Sequence, residues 1–140
     1  MADRFHRNPV TCSPQQFSKL IRAAMAARRH AHAPYSGIRV GAALLTKSGK
    51  VYTGANMENA SYGLAICAER VAIGKAVSEG HRKFQAIAVV LAGSNPTPCG
   101  ACRQVLAEFG DCPVICADAR NTRRVRIYLL SELLPSAFHL

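Results

Sequence analysis

The sequence predicts a single α/β domain in which a β-sheet carries helices on its faces. Two observations favour this class. Strands and helices alternate in the second half of the chain, and Ala86 to Ala92 is a continuous apolar run, typical of a buried strand. The length of 140 residues suits one domain. Hydrophobic residues make up 49% of the chain and charged residues 19%, which is ordinary for a globular protein.

The first predicted element is a helix that begins after Ser13. Ser13 is a good N-cap, Pro14 suits the first helical position, and Gln16 completes a capping box. Apolar residues then recur at helical spacing: Phe17, Leu20, Ile21, Ala24 and Met25. We expect the helix to end before Pro34, because a residue that precedes proline avoids the helical region.

A β-hairpin is predicted next. Ile38 to Leu45 has the composition of a strand, and residues 47–50 (Lys-Ser-Gly-Lys) have turn chemistry. Val51 to Gly54 then begins the return strand.

The remaining predicted elements place two cysteine motifs at helix starts. A helix from Cys67 to Glu79, closed by Gly80, comes first and is followed by the strand Ala86 to Ala92. A loop from Gly93 to Pro98 leads to a helix from Cys99 to Phe109, which Gly110 ends. The last predicted elements are strands at Val114 to Ala117 and Val125 to Leu129 and a helical turn at Ser131 to Leu134. We assign residues 13–140 to one domain and residues 1–12 to an N-terminal extension that is a candidate for disorder.

The composition argues against a membrane or secreted protein. No stretch approaches the roughly 18 apolar residues that a membrane span needs, and Met1 to Val10 lacks the apolar core of a signal peptide. We therefore expect a cytoplasmic protein, where thiols stay reduced. The six cysteines are then interpreted as metal ligands or core residues rather than disulfides.

The net charge of +10 raises the hypothesis of nucleic-acid binding. The basic residues are spread along the chain, aromatic residues make up only 6%, and there is no tryptophan to stack on bases. We favour solvated surface charge over a polymer-binding face.

Cys67-Ala68-Glu69 and Pro98-Cys99-Gly100-Ala101-Cys102 are the most informative motifs. They supply three thiols and one carboxyl group. Structural zinc sites use four protein ligands, so three cysteines predict a site with one open position for water. A bound Zn²⁺ makes such a water acidic near neutral pH. Glu69 lies two residues from a ligand and is placed to handle the protons, so the motif indicates hydrolysis.

The surroundings of the thiols should keep the metal electrophilic. Three thiolates leave a net negative charge on a Zn²⁺ site, and helix N-termini stabilise thiolates. We expect Arg70 and Arg103, which follow the ligands in sequence, to offset more of that charge.

A structural zinc site with a fourth ligand from elsewhere is the alternative. The candidates for that ligand are Cys112, Cys116, His81 and His32. It explains Glu69 less well, because a structural site needs no acid. We expect Cys12, Cys112 and Cys116 to be core residues, and the histidines show no ligand spacing.

The motifs together resemble the small, homotetrameric, zinc-dependent cytidine deaminases of pyrimidine salvage. The resemblance runs from about residue 14 to 138 and rests on six blocks: Pro34-Tyr35-Ser36, Val40-Gly41-Ala42-Ala43, Asn56-Met57-Glu58-Asn59-Ala60, Cys67-Ala68-Glu69-Arg70, Pro98-Cys99-Gly100-Ala101-Cys102-Arg103-Gln104 and Leu133-Leu134-Pro135-Ser136-Ala137-Phe138. It implies a three-layer α-β-α fold whose mixed five-stranded sheet has helices on both faces.

The resemblance also implies residue roles. Cys67, Cys99 and Cys102 would hold one Zn²⁺ per subunit, and Glu69 would move protons during hydrolysis of cytidine or 2′-deoxycytidine to the uridine product and ammonia. The Ala68 N–H would hold the ring carbonyl O2.

Further implied contacts involve the ribose and the neighbouring subunits. Asn56 and Glu58 would bind the ribose 3′-hydroxyl. Ala60, Tyr62 and Phe138 would reach a neighbouring subunit's site in the homotetramer.

One position departs from the family pattern. The family usually has phenylalanine, stacked on the pyrimidine, where this chain has Ile38. Losing a ring face removes a contact of about 0.5–1.5 kcal/mol. We therefore expect either weaker substrate binding or tolerance of a modified ring.

Two other functions compete with nucleoside deamination. A nucleic-acid deaminase would share the metal site and use the positive charge, but a polymer continuing through its 3′ oxygen would clash with Asn56, Glu58 and Phe138. A non-catalytic zinc module would not need Glu69.

Overall fold

The computed structural model describes residues 12–140. The helices are α1 (Pro14–Arg28), α2 (Ala68–Ser78), α3 (Gly100–Ala107) and α4 (Leu130–Leu133), and the strands are β1 (Val40–Thr46), β2 (Val51–Ala55), β3 (Phe84–Leu91), β4 (Pro113–Asp118) and β5 (Asn121–Leu129). A short 3-10 turn, Tyr62–Leu64, lies between β2 and α2.

The five strands form one mixed sheet in the order β2-β1-β3-β4-β5. Strands β3 and β4 are parallel and are connected through α3, whereas the other neighbouring strands are antiparallel. Helix α1 packs on one face of the sheet, and α2 packs on the other. The predicted three-layer α/β fold is confirmed.

Alternating strand residues build the two halves of the core. Leu20 and Ala24 of α1 pack in the cluster that contains Ala43, Ala88 and Ile115. The opposite cluster joins α2 and α3 to the other side of the same strands through Ala72, Ile73, Leu106, Leu44, Ile87 and Val114. Because β3 and β4 are buried on both faces, their apolar runs are continuous.

The direction of the strands places both cysteine motifs at one end of the sheet. Strands β2 and β3 both run antiparallel to β1, so their C-terminal ends lie at the same edge. The chain leaves β2 toward Cys67 and leaves β3 toward Cys99. The topology therefore brings together residues that are 32 positions apart.

The predicted element order is confirmed, with differences at several boundaries; β3, for example, begins at Phe84 rather than Ala86, and α3 ends at Ala107 rather than Phe109. Strand β1 begins at Val40 rather than Ile38, because the Ser36 hydroxyl accepts the Ile38 N–H and holds that residue in the preceding loop. Strand β5 begins at Asn121 rather than Val125, because Asn121 pairs with Asp118 of β4 across a register irregularity and so extends the strand through the polar residues 122–124. The turn Tyr62–Leu64 was not predicted.

The first helix follows the prediction closely. Ser13 caps α1, and the Ser13 and Gln16 side chains complete the capping box. Of the predicted N-terminal extension, only Cys12 is described, and it is buried in the α1 side of the core. Residues 1–11 lie outside the described part of the chain. Within residues 12–140, no helix is both long and apolar enough to cross a bilayer.

Candidate metal centre

The structure brings the three predicted metal ligands together. Cys67 is the N-cap of α2 and Cys99 the N-cap of α3, so both thiols lie at helix N-termini as predicted. The Sγ atoms of Cys67 and Cys99 are 3.8 Å apart. With Cys102, in the first turn of α3, all three sulfur atoms lie within 4.8 Å of one another.

This donor set fits Zn²⁺. Thiolate is a preferred zinc ligand, with Zn–S bonds of about 2.3 Å and tetrahedral geometry. Two sulfurs on such an ion are about 3.8 Å apart by simple trigonometry, which is the separation of the Cys67 and Cys99 sulfurs. The sulfurs are thus close to ligating positions before any movement of the backbone.

Within residues 12–140, no fourth cysteine, histidine or carboxylate joins this group of three. Cys112 and Cys116 are buried elsewhere, and burial raises the pKa of each thiol to about 12. The His81 ring packs against the Tyr52 ring, with Nδ1 3.3 Å from Ser48 Oγ. The arrangement therefore favours an open metal site over a closed structural one.

The metal-free thiols differ in acidity. The neighbouring Cys102 thiol, followed by Arg70, lowers the pKa of Cys67 to about 5. Cys102 is fully buried, and its interaction with Cys67, together with burial, raises its own pKa. Cys67 is therefore the group best prepared to meet a cation as a thiolate.

Arg70, which the sequence analysis expects to offset the negative charge of the ligands, lies beside the thiol of Cys67. Its Nη2 lies 3.7 Å from Cys67 Sγ. Its Nε is buried and has no hydrogen-bond partner among the described residues. The guanidinium is held against the sulfur rather than in solvent, so its charge is only partly screened.

Arg103 makes a different set of contacts from the expected one. Its guanidinium donates to the carbonyl oxygens of Pro98 and Leu133 and to the Thr97 hydroxyl. These acceptors belong to the loop before Cys99 and to the C-terminal segment. Arg103 therefore donates to the backbone and side chains of these two segments rather than to a sulfur atom.

Glu69 is buried next to the three thiols. Only 4% of its surface is exposed, because it lies in the first turn of α2, which packs against the sheet. Burial is the main cause that raises the pKa of its carboxyl group, and the nearby Cys67 thiolate adds to it. Its position beside the thiols and its raised pKa suit a group that both accepts and releases protons.

Asn56 and Glu58 organise the loop at residues 33–39. Asn56 Oδ1 accepts the Val40 N–H at 2.8 Å, and its Nδ2 donates to the Ile38 carbonyl at 2.8 Å. The Glu58 carboxylate accepts from the backbone N–H groups of Tyr35 and Ser36 and from the Ser36 hydroxyl. The Ser36 hydroxyl is the main cause that lowers the pKa of Glu58.

The other predicted contact residues lie on loops or at the helix start. Ala68 is the buried first residue of α2, where the N–H has no intrahelical acceptor. Ile38 is exposed, as are Ala60, Tyr62 and Phe138. These last three residues do not contribute to the buried core of their own chain.

Sequence reasoning missed the role of Gly54 in β2. A Cβ there would overlap the Ala68 carbonyl oxygen and lie 2.7 Å from Ala72 N, so only glycine lets α2 approach this closely. A glycine inside a strand pattern is a known sign of close backbone approach. That signal was present in the sequence.

Comparison with known proteins agrees with this site. Residues 14–118 match the family model described as the cytidine and deoxycytidylate deaminase zinc-binding region. A cytidine deaminase of Halalkalibacterium halodurans is 52% identical over 122 residues, covering 85% of this chain and 91% of the relative. A probable cytidine deaminase of Dictyostelium discoideum is 50% identical over 127 residues, covering 89% and 84%.

A solved structure from the same family supports this match. The crystal structure of cytidine deaminase from Burkholderia pseudomallei superposes with a TM-score of 0.82 at 49% identity, covering 86% of this chain and 98% of that one. Sequence, fold and ligand geometry thus agree, and this chain belongs to the cytidine and deoxycytidylate deaminase zinc-binding family.

Proposed function

We propose that the protein hydrolyses cytidine and 2′-deoxycytidine to uridine and 2′-deoxyuridine with release of ammonia. One observation carries this proposal: a buried carboxyl group, Glu69, adjoins a site of three thiols. A purely structural zinc site has no use for such an acid. The similarity to enzymes named cytidine deaminase supports the choice of substrate.

The chemistry is divided between the metal and one side chain. When bound by Cys67, Cys99 and Cys102, Zn²⁺ supplies a Lewis acid that lets water ionise near neutral pH. Glu69 accepts the proton that the water loses and gives a proton to N3 of the cytosine ring. The hydroxide left by the water would bond to C4 of the ring. Glu69 would then take the proton of the added hydroxyl group and carry it to the amino group, so that the C4–N bond breaks, ammonia leaves and the carbonyl group of the uridine product forms.

In this proposal two parts of the chain orient the substrate: the backbone at the start of α2, and the loop that follows β2. The Ala68 N–H is placed to donate to the ring carbonyl O2. Asn56 and Glu58 bind the ribose 3′-hydroxyl, and their existing bonds to residues 35–40 hold both side chains in place before substrate arrives. Ile38 covers the pyrimidine from the loop at residues 33–39, which precedes β1.

The pocket is completed in this proposal by neighbouring copies in a homotetramer. Tyr62 and Phe138 are 78% and 69% exposed, which is unusual for large apolar side chains. Together with Ala60 they provide walls for a neighbour's site. We also propose a cytoplasmic location, since three reduced thiols are required. Sedimentation of the purified protein tests the assembly, and a monomer at micromolar concentration contradicts it.

Replacement of Glu69 by Gln tests the function. We expect turnover of cytidine, followed by its loss of ultraviolet absorbance, to fall by at least about 10² to 10⁴-fold, the range for general acid–base catalysis. Bound zinc should stay stoichiometric. Glu108→Gln, on the exposed C-cap of α3, is the matched control.

Two outcomes would refute the proposal. Normal turnover by Glu69→Gln would remove the proton carrier from the mechanism. Deamination of a cytosine-containing oligonucleotide, with cytidine itself untouched, would assign the protein to a polymer instead.

A further inference from the structure

Arg103 forms a three-way connection beside the metal centre. It lies in the first half of α3, and its own N–H donates to the Cys99 carbonyl. Its Nε donates to the Pro98 carbonyl at 2.6 Å, Nη1 to the Leu133 carbonyl at 2.7 Å and Nη2 to the Thr97 hydroxyl at 3.0 Å. The three guanidinium nitrogens therefore all donate, and their acceptors lie in two segments, residues 97–98 and Leu133, that are far from each other in sequence.

The first of these segments carries a metal ligand. The Pro98 carbonyl belongs to the peptide unit that joins Pro98 to Cys99, so its hydrogen bond to Arg103 fixes the orientation of that peptide. Pro98 itself is fully buried, and its ring restricts its φ angle. The backbone of Cys99, and with it the starting point of the Cys99 side chain, is thus held from both sides.

The second segment is the C-terminal one. Residues 134–140 have no regular secondary structure, and they follow directly on Leu133, whose carbonyl Arg103 binds. The next residue, Gln104, donates from Nε2 to the Phe138 carbonyl at 3.0 Å. Two consecutive side chains of α3 thereby attach the C-terminal segment at two points to the helix that bears Cys102.

We propose that Arg103 is a positioning residue that fixes the Cys99 loop and the C-terminal segment together, so that the geometry of the metal centre and the placement of Phe138 are coupled. The coupling acts through the shape of the guanidinium, whose donors point in three fixed directions. Its effect on a neighbouring subunit's pocket rests on the proposed function; the coupling itself does not.

Three variants separate the parts of this connection. Arg103→Gln removes all three bonds, Arg103→Lys keeps the charge without the three-way geometry, and Gln104→Met removes only the bond to Phe138. Arg82→Gln is the matched control, since Arg82 also donates to a backbone carbonyl, that of Gly80, at the opposite end of the sheet.

Two measurements on the zinc-loaded, assembled protein avoid any dependence on activity. The first is the rate of zinc transfer to a chromogenic chelator. The second is hydrogen exchange in the peptide that contains residues 134–140. Steady-state kinetics with cytidine then give kcat and KM separately.

We expect Arg103→Gln to speed zinc loss about 10- to 100-fold, the range seen when a residue that orients a metal ligand is removed, and to speed exchange of the C-terminal segment. Arg103→Lys should restore neither property in full. Gln104→Met should loosen the C-terminal segment while zinc loss stays near the wild-type rate. In the kinetics, Gln104→Met should raise KM more than it lowers kcat.

Three results would overturn the coupling. Wild-type zinc retention in Arg103→Lys would mean that charge alone matters. An Arg103→Gln protein that loses zinc with no change in C-terminal exchange would separate the two segments. Equal increases in zinc loss and C-terminal exchange in Arg82→Gln would mean that Arg103 contributes only to general stability. If the exchange and zinc results hold but KM is unchanged, only the proposed role of Phe138 fails.

Discussion

At the residue scale, Arg70 is the side chain whose charge bears most directly on the thiols. Its Nη2 is 3.7 Å from Cys67 Sγ, and hydrogen bonds to charged groups contribute about 1.5–3 kcal/mol. We expect Arg70→Gln to lower kcat/KM about 10- to 100-fold while zinc content, measured by elemental analysis, falls much less. Parallel losses of zinc and activity would instead indicate a role in folding.

Ile38, where the resemblance to the family predicts phenylalanine, is exposed in the loop that Asn56 and Glu58 hold. An added aromatic ring contributes about 0.5–1.5 kcal/mol when it stacks. Ile38→Phe should therefore lower KM for cytidine by about 2- to 10-fold and reduce turnover of ring-substituted cytosines. A substrate panel that is identical for both proteins would show that position 38 does not contact the base.

The residues with distinctive chemistry could be predicted from sequence, whereas their supports could not. Cys67 and Glu69 stand in one short motif, and Cys99 and Cys102 in another, so each motif can be recognised from the sequence alone. The sheet topology then brings the two motifs together. The partners of Arg103 lie 5, 6 and 30 positions away. A guanidinium can donate to a carbonyl or to a thiolate, and which acceptor it meets depends on tertiary packing.

At the scale of elements, the contact of α2 with β2 sets the position of both Cys67 and Glu69. It depends on Gly54, where a methyl group would meet the Ala68 carbonyl. Gly54→Ala should cost about 1–3 kcal/mol of stability as an overpacked site, and should also weaken zinc retention, because α2 must move away from the sheet.

The matched control is Gly41→Ala in β1. There the added methyl meets α1, at the Ala24 carbonyl and Arg28, on the opposite face. We expect a similar fall in melting temperature with zinc affinity close to wild type. Equal zinc loss in the two variants would show that the metal responds to stability alone.

The order of elements was predictable because most carry strong local signals. The Ser13 capping box, the turn glycines and the apolar runs act within a few residues. The start of β5 was not predictable, since Asn121 to Arg124 are exposed and polar and join the strand only by pairing with β4. Edge strands depend on such pairing more than on composition.

At the scale of the whole molecule, ion pairs contribute little against the net charge of +10. Residues 12–140 contain two of them. Lys50–Glu79 is exposed, and such pairs are worth about 0–1 kcal/mol. Arg124–Asp118, at 3.7 Å, joins an exposed guanidinium to a buried carboxylate. Carboxylates act here mainly by accepting backbone hydrogen bonds. Asp118 is the buried example, accepting from the Gly93 and Arg120 N–H groups at 2.8 and 2.9 Å.

This arrangement predicts a dependence of stability on pH. The Arg120 and Gly93 N–H groups lower the pKa of Asp118 in the folded chain. Its stabilisation is therefore complete above the unfolded value of about 3.9 and is lost as the pH falls through the folded pKa. Asp118→Asn should melt at a lower temperature than wild type at pH 7, and the gap should close in acid.

Thermal melts of both proteins from pH 7 down to about pH 3 give this difference directly. Zinc is released from both proteins in acid, so its loss cancels in the comparison. A gap that stays constant over the whole range would mean that the Asp118 charge contributes nothing.

The two glycines within the strands of the hairpin have a consequence for redesign of the enzyme. Gly41 and Gly54 lie on adjacent paired strands, one register step apart, and contact helix backbone on opposite sides. A larger side chain at either position would overlap helix backbone. Enlarging the cavity for a bulkier nucleobase should instead target residues 33–39, which hydrogen bonds rather than steric limits hold in place and which can be remodelled by ordinary loop mutagenesis.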